Sequence, residues 1–287
     1  MGLKRILVPV DASPNSLEAL EAAAEMGARH GAELIGLFVE ESNLLLYTEH
    51  GFAREVSLCS CSLRPIQRRE MELQLRARAE QIRKALSTAG NKWGLPWRFH
   101  VSRGTVRSEI QRAASEVDLT VLGKAGWSQI LSNRAGSTVQ GLISTPGTPT
   151  LVLQQGGRIR PTICAVYTGS ALSDRTLAAT PDLLQLERFR IIVYIPQDAP
   201  EGFAALRRKA AALLPARAQA DFRSLSSPCH AHLLRELREN EFMGPVILPC
   251  EPPEFQGQTL NQFVNEVSVP VLLIKKDHED SQASEAE

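Results

Sequence analysis

The 287-residue chain has few aromatic residues, 5% in all, and no net charge, with 32 lysines and arginines against 32 aspartates and glutamates. The lack of a basic surplus or interleaved aromatics argues against a dedicated nucleic-acid binder, which is usually basic and offers stacking surfaces. No apolar run approaches the ~20 residues that a membrane helix requires. The opening MGLKRILVPVDAS lacks a signal-peptide pattern, and Gly2 is not followed by the Ser or Thr that myristoylation needs. The five cysteines are unevenly spaced and make no disulfide framework, so a reducing cytoplasm is the expected location. The last residues, 277–287, are polar and acidic and read as a disordered tail.

What the chain does have is aliphatic sequence in a repeating order. Residues 6–10, ILVPV, suit a strand buried on both faces. Asp11-Ala-Ser-Pro-Asn-Ser16 is turn and helix-cap chemistry, after which Leu17, Leu20, Ala24 and Ala28 recur at helical spacing until His30-Gly31. Residues 33–39, ELIGLFV, read as the second strand and complete a right-handed crossover unit. Residues 40–64 fit either short strands or a loop. A long helix is expected over 65–89, with Met71, Leu75, Ile82 and Leu86 on one face. A third strand (97–102), a turn at Arg103-Gly104-Thr105, a helix (106–116), a fourth strand (118–122), a helix (138–143) and a fifth strand (148–153) follow. Strands alternating with helices predict an open α/β domain over residues 1–155, a doubly wound five-stranded parallel sheet with helices on both faces.

Residues 156–161, GGRIRP, read as a linker. The pattern then restarts, with strands expected over 162–167, 189–195, 220–224, 245–248 and 269–274. Helices are expected over 172–186, 202–214, 228–240 and 259–267. The order matches the first half element for element, which predicts a second, tandem domain over 162–276.

The most informative stretch is VLGKAGWSQILSNRAGSTVQG, residues 121–141. A strand ends in Gly123-Lys-Ala-Gly126, and a second small-residue step, Gly136-Ser137-Thr138, precedes a helix. Glycine permits close backbone approach, and unpaired N–H groups at a helix start attract anions. In a doubly wound sheet the ligand crevice lies beyond the carboxyl ends of the strands where the order reverses, here the first and fourth. Their ends bring Pro9, Val10, Asp11 and Ala12 opposite Gly123 and Gly126, with Val39 next door. The pattern is neither a Walker loop nor the dinucleotide GxGxxG.

With those residues in view, the sequence resembles the universal stress protein family. KRILVPVDASPNSLEAL looks like that family's opening strand, turn and helix. RGTVRSEIQRAASEVDLTVLG resembles its segment leading into the glycine loop. The spacing G-x-x-G, nine residues, then G-S is its ATP-binding signature, met by Gly123, Gly126, Gly136 and Ser137. The resemblance covers residues 3–155 and implies an adenine nucleotide alpha hydrolase-like fold. It also implies roles. Asp11, with the backbone of Pro9 and Val10, would face the nucleoside or its metal, and Val39 would meet adenine through its main chain. Gly123, Gly126, Gly136, Ser137 and Thr138 would hold ribose and phosphates, and Gly104 and Val106 would border the base. The ligand would be ATP, ADP or AMP, with Mg²⁺ accompanying a triphosphate rather than held in a protein cage. Lys124 would either add charge at the phosphates or point to solvent, and Trp127 would cap or reshape the site.

The second half departs from this pattern. It has CAVYTGS where the first has VPVDAS, which sets Tyr167 at the carboxylate position. It has LPCEPPEFQGQT where the first has the glycine stretch, with prolines that lack an N–H and two glutamates that repel phosphate. No nucleotide is expected there. The family resemblance implies pairing of the two domains through their last strands, 148–153 with 269–274, or alternatively a homodimer. Cys229-His230-Ala-His232 has metal-ligand residue types, but its members point in different directions at a helix start. Cys59-Ser-Cys61 is explained as well by alternation as by redox chemistry. The expected function is a nucleotide-responsive stress sensor or adaptor. A slow ATPase, autophosphorylation on Ser137 or Thr138, and a ligand-free interaction module are the alternatives.

Overall fold

The computed structural model describes residues 2–42, 54–56, 63–65, 68–124, 139, 141–142, 147–154, 156, 159–185, 187–226, 230–250 and 257–275. In chain order the first half comprises β1 (Arg5–Pro9), α1 (Pro14–His30), β2 (Glu33–Glu41), β3 (Arg54–Val56), β4 (Leu63–Pro65) and α2 (Arg68–Trp93). It continues with β5 (Trp97–Gly104), α3 (Val106–Ala114), β6 (Leu119–Gly123) and β7 (Thr150–Leu153). The second half comprises β8 (Thr162–Val166), α4 (Ala171–Leu183), β9 (Phe189–Pro196), α5 (Phe203–Leu213) and β10 (Ala218–Leu225). It closes with α6 (His230–Glu239), β11 (Val246–Pro249), α7 (Gly257–Glu266) and β12 (Val271–Ile274).

Ten strands form one sheet in the order β10-β9-β8-β11-β12-β7-β6-β1-β2-β5. Within each half the pairings are parallel, and the order in both is third-second-first-fourth-fifth. The direction therefore reverses between β1 and β6 in one half and between β8 and β11 in the other. Across the middle, β7 and β12 run antiparallel, with Leu151 opposite Leu272 and Val152 opposite Val271. All four of these side chains are buried.

Alternation along the strands builds two cores, one on each face. Ile6 and Val8 join α1, α2, α4 and α5 side chains such as Leu20, Ile82, Leu86, Leu172 and Leu206. Leu7 joins Ile110 of α3, the helical residues Val139 and Leu142, and Leu233 and Phe263 of α6 and α7. Each core runs unbroken through both halves, because Leu151 and Leu272 belong to one and Val152 and Val271 to the other. Burying four such side chains at the seam favours the joined state by about 2 kcal/mol each.

Local signals explain most element boundaries. Ser13 caps α1 by accepting the Ser16 N–H at 3.3 Å, Pro14 opens the helix, and Gly31 (φ 64°) closes it in the left-handed conformation. Helix α2 is displaced C-terminally from the expected 65–89. Its last turns carry Ala89 and Gly90 inward, and a Cβ on Gly90 would lie 2.4 Å from the Trp97 ring, so only glycine admits that packing. Strand β5 continues through the turn expected at Arg103-Gly104, because its pairing with β2 extends to Glu41 opposite Gly104. The ambiguous stretch 40–64 contributes a short antiparallel pair, β3 with β4.

Two buried lysines hold the seam together, each donating from one half to a main-chain carbonyl of the other. Lys124 Nζ lies 2.8 Å from Asn265 O and 3.2 Å from Val267 O. Lys275 Nζ lies 2.7 Å from Leu142 O. Gln154 adds a third link, donating to Val269 O at 3.3 Å. Burial lowers the pKa of Lys124, and it brings Lys275 down from its ordinary 10.5 to about 8. The neighbouring Cys250 thiol is raised by burial to about 12, so it adds no charge below that pH.

Between pH about 8 and 10.5 the unfolded chain keeps a proton on Lys275 that the folded chain has released. Stability owed to this lysine therefore grows as pH rises through that window and is lost as pH falls through about 8. Measured by chemical denaturation across that range, the stability of wild type relative to Lys275→Met is expected to rise by up to about 3 kcal/mol. A flat difference would show that the ammonium does not sit buried at the seam.

Candidate functional site

At the reversal point of the first half, β1 ends at Pro9 and β6 at Gly123, and the chain leaves both strands at the same rim of the sheet. The Val10 N–H still reaches Leu37 O on β2 at 2.9 Å, after which the backbone turns away through Asp11 and Ala12. Ala12 has φ 63°, a left-handed conformation that a residue with a Cβ adopts only at some cost. Asp11 Oδ1 accepts the Ser13 N–H at 2.9 Å, and Ser16 Oγ lies 3.3 Å from the Asp11 N–H as acceptor. These contacts hold the Asp11 carboxylate, half-buried, at the mouth between the strands.

Main-chain direction on β2 supplies a recognition edge. Along a strand, successive residues present their N–H and C=O to opposite sides. Leu37 faces β1, since its carbonyl accepts from Val10, so Val39 faces the same way. The β1–β2 ladder ends at Pro9 opposite Leu37, two residues short of Val39. The Val39 amide and carbonyl are thus directed into the crevice beyond the end of β1. A donor and acceptor presented on one edge suit the donor-acceptor edge of a purine base. In this respect the described residues fit the nucleoside end of an adenine nucleotide.

Gly123 has a different constraint. A Cβ there would lie 2.6 Å from Asn15 O and 2.7 Å from Asn15 C, both backbone atoms of α1's first turn. The glycine is therefore required for β6 to pack against α1, apart from any ligand. Gly104 ends β5, where a Cβ would meet the Glu109 side chain at 2.8 Å, and Val106 opens α3 beside it. Both lie at the sheet edge past β2. Glu109 pairs with Arg112 at 2.6 Å, and this bond is the main cause of its lowered pKa. Gly126, Trp127, Gly136, Ser137 and Thr138 lie outside the described residues.

Lys124 does not point to solvent, and its ammonium is turned toward the second half. It is 5% exposed, and its ammonium is committed to carbonyls of the second half. The reason is topological. Helix α7 runs antiparallel to β12, and β12 runs antiparallel to β7, so α7 ends at the rim where β6 and β7 end. Carbonyls at a helix C-terminus carry partial negative charge and lack intrahelical donors. Sequence gave no sign of this, because it depends on how the two halves meet.

Superimposing the halves by register reassigns the second copy. Tyr167 N donates to Tyr194 O at 2.9 Å as Val10 N does to Leu37 O, and Ser170 caps α4 as Ser13 caps α1. Tyr167 therefore matches Val10, not Asp11 as the spacing of CAVYTGS against VPVDAS predicts. Thr168 stands at the Asp11 position and Gly169 (φ 84°) at Ala12. Val39 is matched by Pro196, which has no N–H to offer a base, and Gly123 by Pro249. The Tyr167 hydroxyl donates to Asp174 Oδ1 at 2.6 Å, and Lys209 reaches Asp174 Oδ2 at 2.9 Å and Gly169 O at 2.7 Å. Burial and the Asp174 bond raise the pKa of Tyr167. Of the cysteine–histidine run, Cys229 lies outside the described residues, and His232 Nδ1 is 3.3 Å from Ser226 Oγ. Among the described residues no group of three His, Cys, Asp or Glu side chains is placed to hold a metal, and no helix is long and apolar enough to cross a membrane. Cys59 and Cys61 also fall outside those residues.

Comparison with known proteins agrees with this architecture. The model of the universal stress protein family matches residues 2–154, which is more than half of the chain. The chain belongs to the universal stress protein family. Among solved structures, it is similar to a universal stress protein from Archaeoglobus fulgidus, at 16% identity and a TM-score of 0.72, covering 96% of this chain and 97% of that one. It is also similar to a putative universal stress protein from Pseudomonas aeruginosa, at 14% identity and a TM-score of 0.58, covering 99% and 97% of the two chains. At these identities the likeness concerns the fold, and it extends over both halves. No curated protein matches the chain.

The contact at Gly123 leads to a direct test. Gly123→Ala sets a methyl group against α1 backbone that cannot swing aside, so the variant is expected to lose about 1–3 kcal/mol of unfolding free energy. Urea denaturation without nucleotide would measure it, and an unchanged midpoint would contradict the packing described.

Proposed function

We propose that the first half binds an adenine nucleotide, ATP or its products ADP or AMP, in the crevice between the ends of β1 and β6. In this reading the protein is a nucleotide-responsive sensor or adaptor in the cytoplasm rather than a fast enzyme. The observation that carries it is the Val39 main chain, presented to the crevice two residues beyond the last β1–β2 pair. Asp11 stands at the same mouth, where a carboxylate suits ribose hydroxyls or a nucleotide-borne metal better than bare phosphate. The sequence signature Gly123, Gly126, Gly136 and Ser137 supports the phosphate end, with Thr138 adding a hydroxyl. Mg²⁺ would arrive with a triphosphate and supply charge neutralisation there.

The second half serves as a non-binding partner in this reading. Pro196 and Pro249 remove donors at the two positions where the first half offers Val39 and Gly123. The seam between β7 and β12 supports a role for the second half as a built-in substitute for a second subunit.

Titration calorimetry with ATP and Mg²⁺ tests the proposal. Wild type is expected to bind one equivalent with a saturable isotherm, and Gly126→Val or Gly136→Val to abolish the signal while leaving thermal unfolding unchanged. Phosphate release is expected to stay far below the ~10 per second of an ordinary enzyme. No saturable heat in wild type would overturn the proposal, and rapid turnover would replace the sensor reading with an ATPase.

A further inference from the structure

Lys124 occupies an unusual position, because it is the first residue after β6 and yet its side chain belongs to the other half of the molecule. Three contacts fix it. Its N–H donates to Leu153 O at 2.8 Å, its ammonium donates to Asn265 O and Val267 O, and its neighbour Gly123 is pressed against the Asn15 backbone. A displacement of the chain where it leaves β6 therefore moves a buried cation that completes the end of α7. The Val267 N–H closes that same turn by donating to Phe263 O at 2.9 Å.

We propose that Lys124 is a positioning residue that couples nucleotide binding in the first half to the stability of the C-terminal turn of α7 in the second. The inference rests on the nucleotide-binding reading above and names the route by which the second half senses occupancy. The cation is held in a buried seam, where desolvation disfavours its charged form. A ligand that orders the backbone where it leaves β6 holds Lys124 in place, and so favours the bonds of its ammonium to Asn265 O and Val267 O. By thermodynamic reciprocity, whatever loosens the α7 turn must weaken nucleotide binding by the same factor.

Lys275 and Gln154 make similar seam contacts but follow β12 and β7, the fifth strands, rather than a strand that borders the crevice. They bear on docking of the halves without touching the route. This separates coupling from general seam stability.

The test combines hydrogen exchange at the Val267 amide with calorimetry, on the full chain and with Mg-ATP as the probe. In wild type, saturating Mg-ATP is expected to slow exchange at Val267 by about fivefold or more, the lower end of ordinary allosteric coupling. Lys124→Met is expected to bind Mg-ATP about tenfold more weakly and to lose the exchange response. Gln154→Leu is expected to retain both. Should wild type bind Mg-ATP with no change at Val267, or Lys124→Met keep wild-type affinity and response, the coupling role is overturned while nucleotide binding stands. Should wild type bind no nucleotide, both fall together. Absence of a wild-type exchange response at saturating Mg-ATP overturns the coupling even if the variant folds poorly.

Discussion

A five-stranded parallel sheet whose fifth strand lies at its edge leaves that strand's N–H and C=O groups unpaired, together with apolar side chains on both faces. Each half of this chain makes such an edge, at β7 and at β12. Antiparallel pairing of the two solves both problems at once: the ladders continue, and Leu151, Val152, Val271 and Leu272 become interior. The two faces of the sheet then carry single cores shared by both halves. Neither half presents its fifth strand to solvent, which removes the site where a parallel sheet would otherwise recruit another chain.

This pairing also dictates what meets at the rim. Because β7 and β12 run in opposite directions, the crevice end of one half faces the helix-end carbonyls of the other. Those carbonyls need donors. Lys124, Gln154 and Lys275 supply them, and burying two ammonium groups becomes tolerable because each finds an oxygen at 2.7–2.8 Å. An arrangement of this kind is poor at adding net stability and good at fixing one relative placement of the halves. The charged residues at the seam are thus a consequence of antiparallel pairing between two parallel sheets.

Much of the fold was legible because its signals are local. ILVPV and ELIGLFV are apolar runs that fit buried parallel strands, Ser13-Pro14 opens a helix, and Gly31 closes one. The reversal between the first and fourth strands followed from the order of the elements. Less was legible where the deciding partner is distant in sequence. The β5 strand overruns its expected turn because β2 extends to Glu41, and α2 shifts because Gly90 must receive Trp97. Lys124 reads from sequence as either a phosphate contact or a solvent-facing residue, because its partners, Asn265 and Val267, lie about half the chain away. Tyr167 was aligned with Asp11 by spacing, whereas the register of main-chain bonds matches it to Val10.

That correction changes why the two halves differ. If Tyr167 had replaced Asp11, one carboxylate would distinguish the halves. The register instead shows differences spread along the rim. Pro196 removes the N–H that Val39 presents, Pro249 replaces Gly123, and Thr168 replaces Asp11. The Tyr167–Asp174–Lys209 network, with Lys209 also bound to Gly169 O, holds the turn rigidly in its present shape. Each change removes a donor, an acceptor or the freedom of the turn, and none disturbs a strand or the core beneath it. The frame was kept because β12 must still cover β7. The second half is thus held to its fold by the pairing, while the residues along its rim differ from those of the first.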